Sequence, residues 1–143
     1  MKIRPLQEAD GAAVVALWES CGLTRLWNDP YKDINFAMES PNSEILVGED
    51  AGQIIASVMV GHDGHRGAIY YLGVSPQHQK RGLGRAIHDA AAAWLQAKGV
   101  WKINLLVRSE NTQVLSFYVR LGYAPNKVVS LAKPLERGGT FVC

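Results

Sequence analysis

The alternation of hydrophobic and polar positions divides the first half of the chain into short strands and amphipathic helices. Residues 2–6 have the pattern of a first strand. Apolar residues at helical spacing, at positions 14, 17, 18 and 21, predict a helix over residues 10–21, which Gly22 ends. A shorter helix is predicted over 31–39, before Pro41, and two strands follow at 44–49 and 53–61.

The second half begins with a hairpin signal. Asp63-Gly64 stands between two β-rich runs, so residues 68–74 are expected to complete the hairpin as a buried strand. Leu83 opens a long amphipathic helix that should run to Gly99. A strand at 102–107, a helix at 112–121 and one or two closing strands within 123–135 follow, interrupted near Asn126-Lys127.

Composition and charge narrow the class of protein. The 143 residues suit one domain, 1–143, and the net charge of +2, from 15 basic and 13 acidic side chains, is too weak to indicate nucleic-acid binding. No apolar run approaches the ~20 residues of a membrane span, and no signal-peptide core is evident, so a cytoplasmic protein is expected. Cys21 fits a packed core thiol, Cys143 is terminal, and no metal cluster is predicted.

The stretch from Val74 to Arg85 carries the clearest chemistry. A strand, a short polar loop and a helix N-terminus present unpaired backbone amides and the positive end of a helix dipole, which together attract anions. Gly82 and Gly84 permit close approach to the backbone, and Lys80, Arg81 and Arg85 add positive charge. The predicted ligand is a phosphate or pyrophosphate, although neither a GxxxxGK[ST] loop nor a complete dinucleotide fingerprint is present.

Two motifs in this order resemble a known family. Gln79-Lys-Arg-Gly82-Leu-Gly84 matches the Q/R-x-x-G-x-G/A signature of the GCN5-related N-acetyltransferases (GNAT). A strand and Asn111 follow, then Tyr118 on a helix, and the segment closes with Leu121-Gly-Tyr123. The resemblance covers nearly the whole chain and is specific in residues 68–123. The loop 25–30 and the hairpin 63–67 look like a YpeA-like bacterial branch.

The resemblance implies a fold and a cosubstrate. The fold would be α/β (α+β), the GNAT fold, with a mixed, mostly antiparallel sheet of six to seven strands and about four helices on both faces. The partners would be acetyl-CoA and an amine acceptor, of small-molecule or protein origin, and an exposed closing strand could pair two copies as a homodimer. No metal is expected.

The resemblance also implies which residues hold acetyl-CoA. A backbone amide near Val74 would bind the acyl carbonyl, and Asn111 would contact pantetheine, cap a helix, or do both. The three cations of the loop could instead be ordinary surface charge. The cosubstrate residues implied are Leu72, Val74, Gln79, Lys80, Arg81, Gly82, Leu83, Gly84, Arg85 and Asn111.

Tyr118 is the implied catalytic acid for the departing thiolate. A tyrosine pKa near 10 exceeds a thiol pKa near 8.5 by only about 1.5 units, so proton delivery is plausible. The alternative is a core tyrosine, because Tyr118 shares a helical face with Val114, Phe117 and Leu121.

The base and the acceptor site stay open at this stage. No Asp, Glu or His occupies residues 69–74, so the base could be Asp63, His62, His65, Glu110 or a water relay. Arg25, Trp27, Asp63 and His65 are the predicted acceptor-binding residues; Trp27 could instead close the core, and the hairpin histidines could be solvated turn residues or, with no clear further ligand, metal ligands. The competing functions are a non-catalytic acyl-CoA-binding module and an acyltransferase with a longer acyl chain or a hydroxyl acceptor.

Overall fold

The computed structural model describes residues 1–135, which divide into two compact units, Met1–Leu105 and a second that begins at Leu106. The first unit holds the strands β1 (Lys2–Pro5), β2 (Ser43–Asp50), β3 (Gln53–His62), β4 (Gly67–Val74) and β5 (Ile103–Asn104), and the helices α1 (Gly11–Ser20), α2 (Pro30–Glu39) and α3 (Leu83–Ala97). The second unit contains α4 (Thr112–Arg120).

The strands of the first unit form one sheet in the order β1-β2-β3-β4-β5. The first three pairings are antiparallel and follow the chain, whereas β5 pairs parallel to β4 after the crossover through α3. The predicted mixed and mostly antiparallel sheet is therefore confirmed, with helix bounds within a few residues of those expected.

Two hydrophobic cores lie on the two faces of this sheet, because successive side chains of a strand point in opposite directions. On one face Val14 and Trp18 of α1 and Ile34 of α2 pack against Ile45 and Val47 of β2. On the other face, residues of α3 pack against β2, β3 and β4; these are Ile87, Ala91 and Leu95, which meet Leu46, Val58, Val60 and Ile69. Helices thus cover both faces, as predicted.

The strand count is lower than expected. Residues 1–135 contain five strands rather than six to seven, and the closing strands predicted within 123–135 do not form there. Pro125 and Pro134 have no backbone N–H to donate, and Lys127 has a φ of 55°, so this stretch is poorly suited to a ladder. The predicted tail 136–143 lies outside the described residues, and a homodimer stays a prediction without the strand on which it was based.

Candidate active site

The turn before α3 has the geometry of an anion site. Gly82 occupies the N-cap position with φ 75° and ψ 11°, a left-handed conformation that a side chain disfavours. The first helical hydrogen bond runs from the Ala86 amide to the Gly82 carbonyl, at 3.1 Å. The amides of Leu83 and Gly84 come earlier in the chain than the Ala86 amide, so they have no carbonyl within the helix to which they could donate.

Positive charge surrounds the same turn. The side chains of Lys80, Arg81 and Arg85 are exposed, and Lys80 has a φ of 64°, which turns the chain sharply just before Gly82. Within residues 1–135, neither Lys80 nor Arg81 forms an ion pair with a carboxylate. The predicted loop residues are therefore brought together around one helix N-terminus, with charge available to a ligand.

The end of β4 is tied to both this loop and α1. The Val74 carbonyl accepts hydrogen bonds from Gln79 Nε2, at 3.1 Å, and from Cys21 Sγ, at 3.3 Å. Burial raises the pKa of the Cys21 thiol, which fits the packed thiol expected from the sequence. Gln79, predicted as a ligand residue, thus has a structural contact that fixes the start of the loop.

The strand β4 is not regular. Tyr70 pairs with Met59 and Gly73 with Ser57, so Val58 alone faces both Tyr71 and Leu72, which is the two-against-one arrangement of a β-bulge. The pairing of β4 with β5 ends at Ala68, opposite Asn104. In the described part of the chain, the stretch from residue 69 to residue 74 therefore has no strand beside it on the β5 side.

The loop between α1 and α2 lies against the same end of β4. A Cβ at Gly73 would lie 3.0 Å from Leu23 Cδ1, so the loop approaches the strand as closely as a glycine permits. Arg25 turns back on this loop, donating from Nη1 to the Gly22 and Thr24 carbonyls. Trp27 is 50% exposed, so it is not a buried residue of the core, and its role in acceptor binding stays a prediction.

The hairpin predicted to contribute to the acceptor site lies at the other end of β4. Asp63 Oδ1 accepts the amides of His65 and Arg66, and these bonds lower the pKa of the Asp63 carboxyl. The hairpin precedes Gly67, whereas the loop packs at Gly73, six residues and about 20 Å along the strand. The structure does not bring the two predicted acceptor regions together.

The second unit contains Asn111 and Tyr118, the other two residues predicted for the active site. Asn111 Oδ1 accepts a hydrogen bond from the Val114 amide at 3.3 Å. Asn111 therefore caps α4, which is one of the two roles predicted for it. Tyr118 is only 9% exposed, and its ring meets Phe117 and Tyr123 edge-on, with centroid distances of 5.1 and 5.3 Å. Burial raises the pKa of Tyr118 to about 12, so the phenol stays protonated at neutral pH. This pKa exceeds that of a thiol by more than the sequence suggested.

Sequence reasoning missed a polar pair beside the predicted acceptor loop. The Tyr71 hydroxyl donates to Asp33 Oδ2 at 2.6 Å, joining β4 to α2. Burial and the neighbouring Asp33 carboxylate hold the pKa of Tyr71 well above its ordinary value. The only sequence signal was an acidic residue in the first turn of a predicted helix, which is common for electrostatic reasons alone.

A separate groove opens on the α1 side of the sheet, with a volume of about 670 Å³. Its walls include Ala13 and Ala16 of α1, the Arg4–Asp10 ion pair and His78, which lies shortly before the turn that begins α3. Within residues 1–135 no cluster of three or more His, Cys, Asp or Glu gathers as a metal site would require. Across the same residues, none of the helices has the length and apolar character needed to traverse a bilayer.

Comparisons with known proteins agree with this architecture. The sequence pattern of the acetyltransferase (GNAT) family matches residues 12–123. The acetyltransferase SG1711 of Sodalis glossinidius (strain morsitans) is 43% identical over 136 residues, which are 94% of this chain and 96% of that protein. The chain therefore belongs to the GNAT family, and it is an acetyltransferase. The YpeA-like branch stays a prediction.

Solved structures show the same fold in enzymes with different acceptors. AAC(6')-Iy in complex with the bisubstrate analog CoA-S-monomethyl-acetylneamine has a TM-score of 0.79 at 16% identity, covering 93% of this chain and 97% of that one. A ribosomal-protein-alanine N-acetyltransferase from Brucella melitensis biovar Abortus 2308 has a TM-score of 0.73 at 16% identity, covering 93% and 99%. At these identities the likeness concerns the fold.

Proposed function

We propose that this acetyltransferase transfers the acetyl group of acetyl-CoA to an amine by direct attack within a ternary complex. The observation that carries the proposal is the N-terminus of α3, where Gly82 in a left-handed conformation stands among three exposed cations. A pyrophosphate there would accept hydrogen bonds from the first-turn amides and would meet the positive end of the helix dipole.

The acyl group would lie along the bulged part of β4. This stretch, residues 71–74, runs directly into the phosphate loop, and the edge on its β5 side has no strand within the described residues. An extended arm that starts at the loop can follow this edge, with its carbonyl near the amides of Leu72 to Val74. Asn111 is proposed to contact pantetheine in addition to capping α4.

Tyr118 is proposed to act on the departing sulfur. Its pKa of about 12 exceeds the thiol value of about 8.5 by several units, so complete proton transfer to a free thiolate would be uphill by about 5 kcal/mol. A phenol with this pKa still donates a hydrogen bond to the developing charge. We therefore propose that Tyr118 donates this hydrogen bond and stabilises the departing sulfur as the carbon–sulfur bond breaks, without complete transfer of its proton.

The acceptor is an amine that must be neutral when it attacks. At pH 7 the cost of deprotonation is about 4.6 kcal/mol for a lysine amine and about 1.4 kcal/mol for an α-amine with a pKa near 8. Residues 69–74 contain no carboxylate or histidine to lower this cost. Arg25 and Trp27, in the loop that packs at Gly73, are proposed to hold the acceptor there.

The proposal is tested first by binding and then by turnover. We expect acetyl-CoA to raise the thermal midpoint selectively, with ATP and NAD as controls for nonspecific phosphate binding. CoA release with a panel of α-amines and side-chain amines would then identify the acceptor class. No selective midpoint shift at millimolar acetyl-CoA would refute the cosubstrate site, and a shift without release of CoA by any amine would refute the acceptor class.

A further inference from the structure

Tyr71 has a backbone conformation that is unusual for its side chain. Its φ is 53°, in the left-handed region, where a bulky residue is an outlier and is held only by its surroundings. The residue occupies the bulge of β4, so its strained conformation coincides with the point where the ladder to β3 shifts register. Something must hold Tyr71 there.

Three contacts hold this residue from three directions. The ring stacks on Trp18 of α1 with centroids 3.8 Å apart and planes within 8°. The carbonyl accepts from Ser57 Oγ at 3.4 Å, and that hydroxyl in turn accepts from Trp18 Nε1 at 2.8 Å. The phenol hydroxyl donates to Asp33 at 2.6 Å. We call Trp18, Ser57 and Asp33 the Tyr71 clamp.

The clamp is well placed to be rigid. Trp18 and Ser57 are fully buried, and Trp18 belongs to the core formed by α1, α2 and β2. Asp33 lies in the first turn of α2, whose N-cap is Asp29 at the end of the acceptor loop. The hydrogen bond from Tyr71 to Asp33 thus joins α2, which begins where this loop ends, to the bulge of β4.

The bulge sets where the next backbone groups lie. Two residues, Tyr71 and Leu72, face the single residue Val58, and this offset determines the position of every amide from Leu72 to Val74. Without the offset, the side chains that follow would also exchange faces of the sheet. Small movements of these amides would misplace a hydrogen-bond donor from an acyl carbonyl.

We propose that Tyr71 is a positioning residue, and that its clamp of Trp18, Ser57 and Asp33 fixes the β4 bulge so that the amides of residues 72–74 meet the acyl carbonyl. The inference rests on the proposed function, because it assigns the clamp to the acyl site of that reaction. It also links acceptor and cosubstrate, since Asp33 belongs to the helix that the acceptor loop enters.

The experiment removes single clamp contacts and keeps the rest of the strand. Tyr71→Phe deletes only the hydroxyl, and Asp33→Ala deletes its acceptor, whereas Asp33→Asn keeps an oxygen that can accept. Tyr70→Phe is the matched control, because Tyr70 is the neighbouring tyrosine on the same strand and is half exposed. Asp33→Ala also serves as the second variant if Tyr71→Phe does not fold.

Two readouts separate the clamp from the proposed function. The first is amide hydrogen exchange at the end of β4 in the protein without ligand, where we expect at least threefold faster exchange in Tyr71→Phe and Asp33→Ala at Ser75, whose amide donates to the Ile55 carbonyl just beyond the bulge. The second uses acetyl-CoA labelled with ¹³C at the carbonyl, whose bound resonance should move toward that of free acetyl-CoA. A tenfold loss of kcat with the KM for acetyl-CoA kept within twofold should accompany this movement.

The outcomes decide the inference in either direction. Wild-type behaviour of Asp33→Asn and Tyr70→Phe beside altered Tyr71→Phe and Asp33→Ala would support it. Unchanged exchange at Ser75, or an unchanged carbonyl resonance in both altered variants, would overturn it. If wild type binds no acetyl-CoA, the proposed function and the positioning role fail together, whereas unchanged exchange with intact binding would refute the clamp alone.

Discussion

Gly82→Ala tests whether the α3 N-terminus is the phosphate site, because the structure isolates the backbone effect. A Cβ at Gly82 would meet no atom within 4 Å, so the substitution introduces conformational strain without a steric clash inside the protein. The left-handed φ of 75° costs about 1–2 kcal/mol for a residue with a side chain. For a chain of this length, about 3–4 °C per kcal/mol gives a midpoint lower by about 3–8 °C.

Gly82→Ala should also change the rise in midpoint that acetyl-CoA produces. In wild type, acetyl-CoA at 100 times its Kd adds about 2.7 kcal/mol, which should raise the midpoint by about 8–11 °C. We expect Gly82→Ala to weaken acetyl-CoA binding about tenfold, because strain at the N-cap moves the loop and the new methyl obstructs close approach of the phosphate. The same ligand concentration then adds about 1.4 kcal/mol and raises the midpoint by only about 4–6 °C.

Gly52→Ala provides the matched control. Gly52 has a φ of 79° in the turn between β2 and β3, and a Cβ there also meets no atom within 4 Å. Its substitution should cost the same stability without reducing the rise caused by acetyl-CoA. The assay is a thermal-shift titration of the three proteins, and a full wild-type rise in Gly82→Ala would refute the assignment of the loop.

Single substitutions also test Tyr118, the Arg4–Asp10 ion pair and the packing at Gly67. Tyr118→Phe should lower kcat while leaving the KM for acetyl-CoA within twofold. Because burial raises the pKa of Tyr118 to about 12, wild-type pH profiles should show no loss from this group below pH 10, and a basic limb near pH 9 that disappears in Tyr118→Phe would contradict this. Asp10→Asn should lower the thermal midpoint at pH 7, since hydrogen bonding to Arg4 depresses the pKa of the Asp10 carboxyl. A depressed pKa stabilises the fold above pH ~4, so the difference from wild type should narrow as the pH falls below 4, and a difference independent of pH would reject the ion pair. Gly67→Ala should cost about 1–3 kcal/mol in denaturant unfolding, because its Cβ would lie 2.6 Å from Leu95 Cδ1. Adding Leu95→Ala should cancel that steric part in a double-mutant cycle, and additive costs would contradict the packing argument.

The sequence was informative where local chemistry dictates structure. Asp63-Gly64 predicted a hairpin, and the structure places Gly64 at a φ of 86° between β3 and β4. The glycines and cations before Leu83 predicted an exposed helix N-terminus, which Gly82 forms. These features depend on the residues themselves, so a single sequence reveals them.

The rest depended on contacts between distant parts of the chain. Residues 69–74 fit a regular strand, and nothing in the sequence marks Tyr71 for a left-handed conformation. Its clamp joins residues 14 to 53 positions away, so only the fold reveals it. Trp27 and Asp63 were also predicted to belong to one acceptor site. A sequence does not show that β4 holds their regions about 20 Å apart.

The shortness of β5 has a consequence for the behaviour of the protein in solution. Within the described residues, the outer edge of β4 beyond Ala68 displays backbone donors and acceptors with no neighbouring strand. Such an edge is a template for any extended chain, including one from another protein molecule, and so favours aggregation. An elongated cosubstrate that covers this edge would therefore also protect the enzyme against aggregation.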